Sequence, residues 1–132
     1  MYKYGKKSRS RLETCHPLLQ LIFNEAIKVL DITILEGKRG EEKQNNFYHA
    51  GKSKLRYPQS KHNREPSEAV DAAPYPVDWN NLNRFYYMAG VIKGIAQKLG
   101  IPLRWGGDWD RDGDITDNKF QDLPHFELDI QQ

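Results

Sequence analysis

Gln121-Asp122-Leu123-Pro124-His125-Phe126-Glu127-Leu128 is the stretch on which the reading of this chain turns. After Pro124 the residues alternate, so a strand over His125–Ile130 puts His125 and Glu127 on one face and Phe126 and Leu128 on the other. The Phe126 and Leu128 face suits a core, which turns His125 toward a cleft. Asp122 stands three residues before that histidine. Upstream, Ser60-Lys61-His62 and Ala69-Val70-Asp71 supply a second histidine and an aspartate. Asp71 lies in an apolar run, and a carboxylate there must be paired or bound to a cation. Two histidines and one carboxylate form a common ligand set for catalytic zinc, with the fourth position left to water. A further carboxylate near that water, here Asp122, is what a hydrolase needs as general base.

The rest of the chain supplies a small α+β frame. Leu12, Leu19, Ile22, Phe23, Ala26, Ile27 and Leu30 recur at helical spacing, with the helix starting or kinking at Pro17. Asp31–Leu35 is a short β-branched strand ended by Gly37. Residues 40–50 predict a polar helix, and Lys52–Ser67 a loop. Ala69–Ala73 predicts a buried strand stopped by Pro74 and Pro76. Trp79–Leu99 carries the strongest helix pattern, its stripe made of Leu82, Phe85, Tyr86, Ala89, Ile92, Ala96 and Leu99, with Gly100 and Pro102 as stop. A third strand starts at Leu103. The expected fold is one domain over residues 1–132, a mostly antiparallel sheet with helices packed on it and a zinc site in a cleft.

Composition bounds the function. With 132 residues, 29% charged and 38% hydrophobic, the chain is a soluble globular domain large enough for its own core. Its single cysteine, Cys15, rules out an intramolecular disulfide and is expected as a helix residue rather than a nucleophile. No signal-peptide h-region or membrane-length apolar run is present. The basic start (Lys3, Lys6, Lys7, Arg9, Arg11) reads as a solvated helix end, so neither nucleic acid nor membrane insertion is expected, and the chain is expected to be a monomer. His16 and His49 read as surface or structural residues.

At the ligand residues the chain resembles the zinc peptidases that include bacterial D-alanyl-D-alanine carboxypeptidases and phage L-alanyl-D-glutamate endolysins, whose metal-site fold is shared with the hedgehog signalling domain. The shared pattern is Ser60-x-His62, Ala69-x-Asp71 and Asp122-x-x-His125, with Gly37-Lys38-Arg39 carrying the family's arginine. The step from His62 to Asp71 is nine residues, longer than the family's usual spacing, so the loop between them is expected to bulge. The resemblance covers nearly the whole chain. An aspartate at position 122 is similar to the phage endopeptidase branch.

The resemblance implies zinc on His62, Asp71 and His125, Asp122 as general base, and Arg39 as stabiliser of the oxyanion or clamp on a substrate carboxylate. Glu127 is a candidate for orienting a ligand histidine. The implied substrate is the stem peptide of bacterial peptidoglycan, cut between L-Ala and D-Glu. The implied setting is a phage endolysin made in the host cytoplasm and released to the wall at lysis. A D-alanyl-D-alanine carboxypeptidase and a non-catalytic metal-containing binding module are the alternatives.

Asp108-Trp109-Asp110-Arg111-Asp112-Gly113-Asp114-Ile115 matches the first eight positions of an EF-hand loop. Asp108, Asp110 and Asp112 take the alternate ligand positions, Gly113 the turn, and Asp114 offers its backbone carbonyl. Lys119 stands where a bidentate glutamate is expected, and Asp117 is the substitute closer. Calcium is the expected ion, because clustered aspartates repel one another without a cation.

Overall fold

The computed structural model describes residues 1–116 and 121–130; Asp117 and Lys119, named above for the acidic loop, lie outside them. Four strands form one sheet in the order β1-β2-β4-β3: β1 Ile32–Glu36, β2 Ala69–Pro74, β3 Leu103–Trp105 and β4 His125–Leu128. Every neighbouring pair is antiparallel. The expected α+β class with an antiparallel sheet is the one observed.

Register explains how residues distant in sequence meet, because directly opposed residues of a sheet share a face. Glu36 opposes Asp71, which opposes His125. One row along, Ala69 opposes Glu127, which opposes Arg104. The alternate row, Val70, Phe126 and Trp105, faces the core. A register shift between Ile34 and Glu36 sets Glu36 beside Asp71; irregularities of this kind re-aim side chains next to functional sites.

The core side is covered by helices α2 Pro17–Ala26 and α4 Leu82–Leu99. Phe23 meets Phe126 edge to face at 5.7 Å, and Leu19, Ile22, Phe23 and Phe126 are fully buried. Each such side chain contributes about 1.5–3 kcal/mol by leaving water. Helix α1 Lys6–Leu12 packs on β1, where Ser8 Oγ accepts from Ile34 N at 3.0 Å. Helix α3 Glu41–His49 is polar, with only Gln44 buried.

The expected helix start at Pro17 holds, and three other local expectations are corrected. The first apolar run is two helices, with His16 as N-cap of the second: its Nδ1 accepts from Leu18 N at 3.1 Å, and Pro17 takes the first helical position. Cys15 therefore lies between helices, in a bridge to Ser67, and not in one. Its thiol is buried, which pushes its pKa up to about 12 and keeps it unreactive. The long helix begins at Leu82, because residues 78–81 are held in a turn in which Asn81 N donates to Asp78 O. Leu82 and Leu99, at its two ends, are exposed. The last strand stops at Leu128, where Asp129 N turns to the carbonyl of Pro102.

Candidate active site

His62 stands on a single 3-10 turn, Lys61–Asn63. Ser60 caps that turn: its Oγ accepts from His62 N at 3.2 Å, and its own N–H donates to Asn63 Oδ1 at 3.1 Å. The serine of the S-x-H pattern thus has a structural duty. Asn63 Nδ2 donates to the carbonyl of Arg39 at 3.0 Å, and Arg39 N donates to the carbonyl of His62 at 2.8 Å. The longer step to Asp71 is absorbed away from the ligands. Residues 64–67 loop out, Glu68 N returns to the carbonyl of Lys61, Arg64 pairs with Glu68 at 2.7 Å, and Ser67 docks on Thr14.

Three side chains converge. His62 Nε2 lies 3.2 Å and His125 Nδ1 3.1 Å from Asp71 Oδ1. One donor atom from each of the three lies within 4.8 Å of the others. The outer nitrogens are both engaged. His62 Nδ1 donates to the carbonyl of Gly37 at 2.7 Å, and His125 Nε2 donates to Glu127 Oε1 at 2.8 Å. A carbonyl and a carboxylate only accept, so these bonds fix the protons on the outer nitrogens. In neutral rings both inner lone pairs then point at a carboxylate. That arrangement calls for positive charge at its centre, which protons or a divalent cation supply. The set fits zinc: nitrogen and carboxylate donors, buried, with partners behind both histidines.

The electrostatics agree with that need. Burial works against ionising Asp71, yet the charge of His62 and the hydrogen bonds from both histidines hold its carboxyl well below the carboxylate range. For His125, burial favours the neutral ring, but Asp71 and Glu127 outweigh it and raise the pKa to about 9. Glu127 is lowered to about 2: burial opposes this, and the bond from His125 and the pairing with Arg104 overcome it. Arg104 Nη2 donates to Glu127 Oε2 at 2.7 Å, and Lys61 Nζ stands 3.6 Å from the same oxygen.

Asp122 lines the same cleft, set by a close backbone approach. Asp122 N donates to the carbonyl of Gly106, and Gly106 N to that of His125, both at 2.8 Å. A Cβ on Gly106 would meet Asp122 O at 2.0 Å, so only glycine fits. Trp105 Nε1 ties down Leu123 O at 2.7 Å. Burial, and then the negative charge of Asp71, raise the Asp122 carboxyl above its ordinary value.

Arg39 is buried, 7% exposed. Its Nε and Nη2 donate to Glu36 Oε1 at 3.0 and 2.5 Å, and its Nη1 to Gln44 Oε1 at 3.0 Å. Its guanidinium lies 4.6 Å from the ring centre of Phe47, and Nη2 is 3.6 Å from Asp71 Oδ2. Gly37 is required by packing too: a Cβ there would meet Thr14 Oγ1 at 2.3 Å. Sequence reasoning missed Glu36, Gln44, Phe47, Arg104 and Gly106. For Glu36 the available signal was its place just before the G-x-R run.

A cavity of about 860 Å³ joins these groups. Trp109, the second residue of the acidic loop, tilts against His125 with ring centres 5.3 Å apart. In the loop itself, Asp108, Asp110 and Asp112 bring one oxygen each within 4.8 Å of the others. Asp114 stands outside that group, its Oδ1 accepting from Thr116 N and Oγ1.

The family model for phage L-alanyl-D-glutamate peptidase matches residues 1–129, and the chain belongs to that family. It is 35% identical over 121 residues to the L-alanyl-D-glutamate peptidase of Escherichia phage T5, covering 88% of each chain. The crystal structure of Serratia marcescens L-Ala D-Glu endopeptidase ChiX matches with a TM-score of 0.76 at 26% identity, covering 96% of this chain and 90% of that one.

Proposed function

We propose that this chain is a zinc-dependent endopeptidase that hydrolyses the L-alanyl-D-glutamate bond of peptidoglycan stem peptides. The observation that carries the reading is the meeting of His62, Asp71 and His125 at one buried point in a family of that activity. His62, through Nε2, Asp71 and His125, through Nδ1, would hold the metal. Zinc in such a set supplies Lewis acidity to a water and to the scissile carbonyl.

Asp122 takes the proton of the attacking water and passes it to the leaving amine. Burial, and then the charge of Asp71, raise its carboxyl above that of an ordinary aspartate, which makes it the stronger base. Arg39 lends fixed positive charge to the carbonyl oxygen as negative charge develops there. Glu36, Gln44 and Phe47 hold its fork in place, so the charge needs no rearrangement during reaction. Glu127, backed by Arg104 and Lys61, aims the His125 ring. Asp108, Asp110, Asp112 and the carbonyl of Asp114 form a second, calcium-binding site in the exposed loop.

The protein acts as a monomer on the wall, after synthesis in the host cytoplasm and release by a separate membrane-permeabilising protein. Among the described residues no helix is long and apolar enough to cross a membrane. Mass spectrometry of digested peptidoglycan tests the activity. New N-terminal D-Glu with L-Ala left on muramic acid is expected. Release of terminal D-Ala alone would make the protein a carboxypeptidase.

A further inference from the structure

Trp79 is a side chain of the cleft that the proposed chemistry does not use. It lies between the end of β2 and the start of α4, 55% exposed. One face of its indole stacks on Phe85, ring centres 5.4 Å apart and planes 20° from parallel. Phe85 is itself only 1% exposed, so the core props the indole in place and leaves the opposite face to solvent. The segment beneath it is tied down as well. Arg84 Nη1 donates to Pro76 O at 2.6 Å, Asn80 N to Asp78 Oδ1 at 3.0 Å, and Tyr75 N to Asp31 O at 3.0 Å. A large aromatic group held rigid and half in water is suited to take a ligand at little entropic cost.

Trp79, Leu82 and Phe85 line the same cavity as His62, Asp71 and His125. The cations of that cavity come from other segments: Lys61 and Arg104 meet Glu127, which pairs with Ala69 of β2, and Arg39, Lys52, Lys54 and Arg64 add to the lining. The 75–82 segment contributes no charged group to the lining.

An L-alanyl-D-glutamate bond in the wall has two unlike sides. The leaving side, D-Glu and the residues after it, carries free carboxylates. The acyl side is one alanine, a lactyl ether and then the pyranose ring of muramic acid, with no charge. The cations of the cleft complement the first. The uncharged Trp79 segment complements the second, since the C–H face of a pyranose lies on the electron-rich face of an indole. Asp78, Asn80 and Asn81, next to Trp79 in sequence, are exposed and carry donors and acceptors suited to sugar hydroxyls and an N-acetyl group.

We propose that Trp79 forms a subsite for the muramic acid sugar on the acyl side of the scissile bond, so that the protein reads glycan as well as peptide. The proposal rests on the L-alanyl-D-glutamate reading above.

The test compares two substrates, N-acetylmuramyl-L-alanyl-D-γ-glutamyl-L-lysine and the same tripeptide carrying only the lactyl group in place of the sugar. Wild-type protein is expected to cleave the muramyl substrate with the higher kcat/KM, by about tenfold, the scale of one aromatic stacking contact. Trp79→Ala brings the ratio toward one, chiefly through KM for the muramyl substrate, and Trp79→Tyr keeps most of it. A fold defect lowers both substrates together and leaves the ratio, and the wild-type ratio depends on no variant folding. Equal wild-type efficiency on both substrates, or an unchanged ratio in Trp79→Ala, overturns the subsite alone. Cleavage of neither between alanine and glutamate overturns the proposed activity, and the subsite falls with it.

Discussion

Two groups of three ligand-bearing side chains stand close together in this chain, and they are built in opposite ways. His62, Asp71 and His125 come from a 3-10 turn and two strands, separated by up to 63 residues of sequence. Each histidine is gripped from behind, by Gly37 or by Glu127. Asp108, Asp110 and Asp112 come from one loop, with Asp110 and Asp112 exposed. Their oxygens are answered from within: Gly113 N donates to Asp108 Oδ2 at 2.9 Å and Asp114 N to Asp112 Oδ1 at 2.8 Å. The tertiary fold makes the first group and local chain geometry makes the second. A cation at the first would meet a preorganised set, and one at the second a charge that water and salt screen.

The largest effect that sharpens this contrast is expected at the first group. Asp71→Ala or His125→Ala should lose bound zinc and bring hydrolysis to background, read by metal analysis and turbidity clearing on the same preparation. Stoichiometric zinc in both variants would falsify the ligand assignment. Next comes the grip behind the ligand. Glu127→Gln should weaken zinc about tenfold to a hundredfold in a chelator competition. Unaltered zinc affinity would mean that Arg104 and Lys61 hold the strand without help from that carboxylate.

A smaller effect concerns pH. His125 has its pKa raised from 6.5 to about 9 by the metal-free fold. Its proton therefore stabilises fully below pH 6.5, and that contribution is lost as pH rises through 9. Chelator-stripped protein should melt several degrees lower above pH 9 than near pH 6.5, and zinc should abolish the difference. A flat profile in the stripped protein would contradict the pairing of His125 with Asp71. The smallest effect belongs to the loop. Calcium at a hundredfold excess over Kd should stabilise the wild type by about 2–3 kcal/mol and leave Asp110→Ala/Asp112→Ala unmoved. Identical calcium responses would leave the loop an acidic turn.

The two groups also differ in how far the sequence discloses them. The acidic loop is legible because its ligand spacing is local. The faces of β4 are legible as well, since alternation alone assigns Phe126 and Leu128 inward and His125 and Glu127 outward. Asp71 declares itself by being a carboxylate in an apolar strand. That His62 meets these two is not a local fact; only the family resemblance joins it to them, and the register of three strands with the capped turn at Ser60 explains it. Gly106 was invisible because its neighbour, Asp122 O, comes from a segment reached through a loop. Trp79 was read as the first turn of α4, where periodicity cannot distinguish an aromatic that starts a stripe from one that stands beside it.

The most direct test of the account is Asp122→Asn, which keeps the shape of the side chain and removes its proton acceptor. Zinc content, circular dichroism and peptidoglycan clearing should be measured on one preparation. The account predicts full zinc, an unchanged fold and a rate lower by about a hundredfold to ten-thousandfold. Near-normal clearing with zinc retained would contradict it.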